Sequence, residues 1–170
     1  MTNFYLVSAG AAATLVGLLF VAVQIGPPLV GSGPIGRRHA MARSTFAIFV
    51  ILFILSMYLL VPGQPGSARA LVLIGAAAGG AVRAVRTWIP VWRDKLQGRI
   101  EFRIWQTAWL LLGPVLTYGY LAFRAVGQLR GMDPNGVDNA ASAGFVLLFV
   151  IGLRNSWNLL VEATAEQRNS

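Results

Sequence analysis

The chain has 170 residues, 56% of them hydrophobic and only 12% charged, with 14 Lys/Arg against 6 Asp/Glu and a mean hydropathy of +0.64. Water-soluble domains carry about 25% charged residues, so an ordinary soluble domain is excluded. The absence of cysteine likewise excludes a disulfide scaffold, a thiolate metal site and a cysteine nucleophile.

The charges fall between long apolar runs, the pattern of an all-α polytopic membrane protein. A helix needs about 20 apolar residues to cross roughly 30 Å of hydrocarbon. Five segments qualify, at 4–25, 45–61, 70–92, 104–123 and 140–161. They predict one membrane helix bundle over residues 1–170, with connections too short for a further domain.

The first span lacks the positive n-region of a signal peptide and is too long for an h-region. Its Ala9, Ala13 and Gly17 form a stripe of small residues. Next comes Gly31-Ser32-Gly33-Pro34-Ile35-Gly36, which satisfies G-x-G-x-x-G but follows a membrane helix and Pro27-Pro28 rather than a strand. That context predicts a flexible loop, not a dinucleotide site, with His39 solvated at its end. The second span is short and begins at Thr45 or nearer Met41; Pro62-Gly63-Gln64-Pro65-Gly66 then makes a tight bend.

Arg83 and Arg86 interrupt the third span, while Trp88, Ile89, Val91 and Trp92 prolong it. A four-span arrangement without it is the alternative. Gly75 and Gly79 form a G-x-x-x-G step, which Ala76 and Gly80 repeat one residue on. Helices in lipid associate by close approach through small side chains, so spans one and three are expected inside the bundle or at a subunit contact. The basic stretch at 93–103 is expected on an anionic inner leaflet, with Trp88, Trp92, Trp105 and Trp109 as an aromatic belt beside it. Pro114 should kink the fourth span and free a carbonyl one turn earlier for Thr117 or water. Asp133-Pro134-Asn135-Gly136 is a turn sequence; with Asp138 it still lacks the remaining ligands of a calcium loop.

Lys and Arg mark the cytoplasmic side of short loops. Arg37, Arg38 and Arg43, then Arg93, Lys95, Arg99 and Arg103, and finally Arg168 share one side; Arg69, Arg124 and Arg130 take the other. The bias predicts the N-terminus outside and the C-terminus in the cytoplasm of a bacterial plasma (inner) membrane.

Ionisable residues within spans mark function by default. Arg83 and Arg154 fall at similar depth in the inner half. Arg154, Asn158 and Glu162 share one helical face through their four-residue spacing, with Asn155 adjoining. In one reading Arg83 and Arg86 snorkel to the interface while Arg154 is tied to Glu162, Asn158 or backbone carbonyls. In the other, these arginines with Asn155, Asn158, Gln24 and Gln106 line an inner vestibule for anions or lipid phosphates.

The runs Ser8-Ala9-Gly10 and Gly17 to Val23, with Val61-Pro62-Gly63-Gln64 and Trp157 to Glu162, resemble a group of small actinobacterial membrane proteins often labelled modulators of the FtsH protease. The shared features are packing and turn residues, and the longer glycine-rich first loop and the Asp-Pro-Asn-Gly insertion depart from the group. The resemblance implies a partner among membrane proteins and no catalytic residues.

With no nucleophile, paired carboxylate or metal cluster in the sequence, no enzyme, cofactor, metal site or nucleic-acid partner is expected. The leading expectation is a small homo-oligomeric membrane protein with an anion-attracting, channel-like pathway or anionic-headgroup site in its inner half. The alternative is a non-conducting accessory subunit that binds another membrane protein, such as a membrane protease.

Overall fold

The computed structural model describes residues 2–25, 35–97, 104–133 and 135–167. They form five helices: α1 (Thr2–Ile25), α2 (Ile35–Leu60), α3 (Gly66–Leu96), α4 (Ile104–Leu129) and α5 (Gly136–Gln167). No strand occurs among the described residues. A chain this apolar has no water for its backbone, and helices satisfy every internal N–H and C=O within one segment.

Thr2–Val21, Ala42–Leu60, Gly66–Ile89 and Gly136–Asn158 are each long and apolar enough to cross a membrane. The third span therefore qualifies despite its arginines. The side chains of 104–111 in α4 lie outside the described residues; the helix runs along both α3 and α5. Helix ends also extend past the expected spans: α2 takes in Gly36, Arg37, Arg38 and His39, and α3 takes in Arg93 to Lys95. Arg and Lys are good helix formers, so helix continues where the apolar run stops. The 31–34 part of the glycine-rich stretch lies outside the described residues.

α2, α3, α4 and α5 pack as a ring, α2 against both α3 and α5, and α4 against both as well. α1 lies outside this ring, mainly against α2, and meets α5 near its own start, where Phe4 and Tyr5 stack against Phe145. The interior is filled by Phe49, Leu52, Leu73, Leu121, Phe145 and Leu148. Glycines set the closest approaches: a Cβ on Gly80 would sit 2.5 Å from the Tyr118 ring, one on Gly144 2.5 Å from Leu121, and one on Gly152 2.6 Å from the Phe49 ring. A Cβ on Gly113 would meet Ile151 at 3.2 Å.

The turns follow their local chemistry. α4 ends in a Schellman motif: Gly131 takes φ +71°, its N–H donates to the Gln128 carbonyl, and the Met132 N–H donates to the Gly127 carbonyl. In the bend after α2, Gly63 takes φ +76° behind Pro62, as a type II turn requires.

Candidate functional site

The inward stripe of α3 is Ala70, Leu73, Ala77, Ala84 and Trp88, all buried at helical spacing. Arg83 sits beside that stripe at the edge of the ring. It lines a recess between α2, α3 and α4 with Ser44, Ala47, Ile48, Ile51, Gly80 and Thr87, closed from the α4 side by Pro114 and Tyr118. The recess is graded. Ile51, Gly80 and Tyr118 make it apolar at one end, and Ser44, Arg83 and Thr87 make it polar at the other, where α2 begins and α3 finishes. The Thr87 hydroxyl donates to the Arg83 carbonyl at 2.8 Å, which satisfies it without using the guanidinium.

Arg43, Arg83, Arg86, Arg93 and Arg154 are all exposed on the outside of this basic end. Beneath them lies a set of buried polar groups. Thr45 is 0% exposed, Asn155 1% and Trp88 2%. Thr45 Oγ1, Trp88 Nε1 and both amide atoms of Asn155 have no hydrogen-bond partner among the described residues.

At the other end of the bundle, both described carboxylates are paired. The Tyr5 hydroxyl donates to Asp138 Oδ1 at 2.6 Å, and Arg69 Nη2 donates to the same oxygen at 2.5 Å. Arg124 and Asp133 form a second ion pair at 2.5 Å. Gln128 donates to the Gly66 carbonyl at 3.2 Å and accepts the Val137 N–H at 2.8 Å, which joins the ends of α4, α3 and α5. Asp138 in the first turn of α5 also complements that helix's positive end. Both carboxylates of the Asp133–Asp138 stretch are thus held by arginines.

The structure divides the residues anticipated for an inner vestibule. Arg83, Arg86 and Arg154 face outward, Asn158 is half-buried and Asn155 is buried. Asn155 and Arg154 are successive residues and so point about 100° apart around α5. The side chains of Gln24, Gln106 and Glu162 lie outside the described residues. Among the small residues expected to pack helices, Ala9 and Gly80 are buried, whereas Ala13, Gly17, Gly75 and Gly79 face outward.

Two expectations need correction. Trp88 belongs to the interior rather than to an interfacial belt, because it continues the inward stripe of α3; the side chains of Trp92, Trp105 and Trp109 lie outside the described residues. Pro114 lies inside α4, with helix on both sides of it. The Thr117 hydroxyl donates to the Gly113 carbonyl at 2.8 Å and not to the one that Pro114 deprives of its donor, since a threonine reaches the carbonyl four residues before itself.

Sequence reasoning missed the Tyr5–Asp138–Arg69 cluster, whose members are 133 and 69 positions apart and carry no local signal. It also missed Thr45 and Trp88 as buried polar positions. For Trp88 the spacing from Ala77 and Ala84 was a usable signal. No protein family, no curated protein and no solved structure matches the chain. Function is therefore argued from the chain's own geometry.

Proposed function

We propose that this chain is a non-enzymatic, multi-pass protein of a bacterial plasma membrane whose basic end holds an anionic lipid headgroup. The observation that carries this reading is Arg83 at the polar end of a recess whose other end is apolar. An anionic phospholipid has the same gradient, with a phosphate at the interface and hydrocarbon beneath it. Ser44 and Thr87 add hydroxyls beside the guanidinium, and Arg86 and Arg93 add positive charge on the same helix. With this end in the cytoplasm, the recess faces the anionic inner leaflet.

The headgroup form of an anion site is preferred to a conducting pathway. Arg83, Arg86 and Arg154 lie outside the ring, and its described interior is filled by large apolar side chains. Retention of anionic against zwitterionic phospholipid by the purified protein tests the reading. Each basic residue near such a surface is worth about 1 kcal/mol, about a fivefold change in affinity. Arg83→Gln is therefore expected to lower the anionic preference about fivefold. Equal retention of the two lipids by the unaltered chain would overturn the proposal.

A second reading is an accessory subunit that binds another membrane protein, such as a membrane protease, or a second copy of itself. It is favoured by Gly10 and Gly17 on α1 and Gly75 and Gly79 on α3, where an added Cβ would meet nothing within 4 Å. Failure of any membrane protein or second copy to co-purify after mild solubilisation counts against it.

A further inference from the structure

We propose that Thr45, Trp88 and Asn155 form one neutral hydrogen-bonding site inside the bundle, and that its ligand is water admitted from the basic end. Side-chain neighbours fix the relative heights of the helices. Gly152 on α5 packs on Phe49 of α2. Since the two helices are antiparallel, one turn toward the basic end leads to Asn155 on α5 and to Thr45 on α2. Ser44 and Thr87 line the same recess, which sets α2 and α3 level there. Their chain neighbours Thr45 and Trp88 turn inward from that level and are buried. The three residues thus occupy one layer of the ring. α4 contributes to it as well, because Pro114 has no N–H to give the Leu110 carbonyl, and Leu110 is one turn toward the basic end from Pro114.

Four buried polar atoms in this layer have no partner among the described residues: a hydroxyl oxygen, an indole nitrogen, an amide nitrogen and an amide oxygen. Leaving such groups unmet in an apolar interior costs about 1–3 kcal/mol apiece, so a chain that retains them has a ligand for them. The ligand must accept from the indole and the amide nitrogen and donate to the amide oxygen. Water does both. The three side chains are neutral, which disfavours an ion, and buried waters characteristically bridge such otherwise unsatisfied groups. One turn further from the basic end, Phe49 on Gly152 and Ile151 on Gly113 close the interior with apolar contacts. The wet layer is therefore blind, ending where the apolar core begins.

Hydroxyl-radical footprinting of the unaltered protein in a bilayer tests this, since radicals formed from internal water label the side chains beside it. After correction for intrinsic reactivity, Trp88 is expected to be labelled several-fold faster than the equally buried Phe145. Asn155→Leu, which removes two of the four polar atoms, should reduce that labelling. The chain has no cysteine, so Thr45→Cys and Leu148→Cys each present a single thiol. A small hydrophilic thiol reagent should modify the first and spare the second. Labelling of Trp88 no faster than Phe145 overturns the proposal, and this readout needs no variant to fold. Arg83→Gln leaves the layer untouched, so loss of lipid preference and loss of internal labelling report separately on the two sites.

Discussion

Two adjacent glycines of α3 have opposite surroundings. An added Cβ on Gly80 would strike the buried Tyr118 ring at 2.5 Å, whereas one on Gly79 would meet open space. Overpacking a tight contact costs about 1–3 kcal/mol, and surface changes away from such features stay within about 0.5 kcal/mol. Gly80→Ala is expected to lower the denaturation midpoint in detergent while Gly79→Ala leaves it in place; equal midpoints would contradict the placement of α3. Asp138 supports a second prediction at this scale, because it accepts from both Tyr5 and Arg69. Asp138→Asn is expected to cost about 1–2 kcal/mol, below the full value of a charged hydrogen bond because the pair is partly exposed. Tyr5→Phe should cost about 1 kcal/mol alone. Made together, the two changes should cost less than their sum, since loss of the charge weakens the contact that loss of the hydroxyl removes. Additive losses in urea melts would show that the hydroxyl does not depend on the carboxylate.

Among the elements, the neighbours of α4 bear directly on whether it crosses the membrane. α3 and α5 are each apolar and long enough to span, and α4 packs along both of them, from Gly113 at Ile151 to Arg124 beneath Gly136. Its two ends must then lie at opposite faces of the membrane. Gln97, after α3, and Met132, after α4, are both exposed. As the sole thiols of the variants Gln97→Cys and Met132→Cys, they are expected to react with an impermeant reagent from opposite sides of sealed vesicles, Met132→Cys from the outside. Reaction of both from one side would make α4 a re-entrant or surface helix. α1 differs again. It stays outside the ring although it is the most uniformly apolar helix, because lipid satisfies its exposed Leu6, Val7, Leu18 and Phe20 as well as protein would.

Across the whole molecule, the ion pairs of Asp133 and Asp138 lie at one end, and exposed arginines above the buried Thr45, Trp88 and Asn155 at the other. Class, helix content and the positions of the apolar runs were legible in the chain, because apolar length and charge placement are local properties that need no partner to be read. Arg83 and Asn155 were legible as polar residues within spans for the same reason. Their separation was not: one lines an exterior recess and the other is buried in the ring. The inward role of Trp88 and the clasp of Tyr5, Asp138 and Arg69 were also decided only in three dimensions. In a soluble helix the polar face reveals which way is out. Here lipid makes the exterior as apolar as the core, so the amphipathic signal that would orient α1, α2 and α5 is weak. The sequence by itself determined a membrane-embedded helical bundle with a basic end; tertiary packing decided which side of each helix faces inward, and hence which polar residues meet.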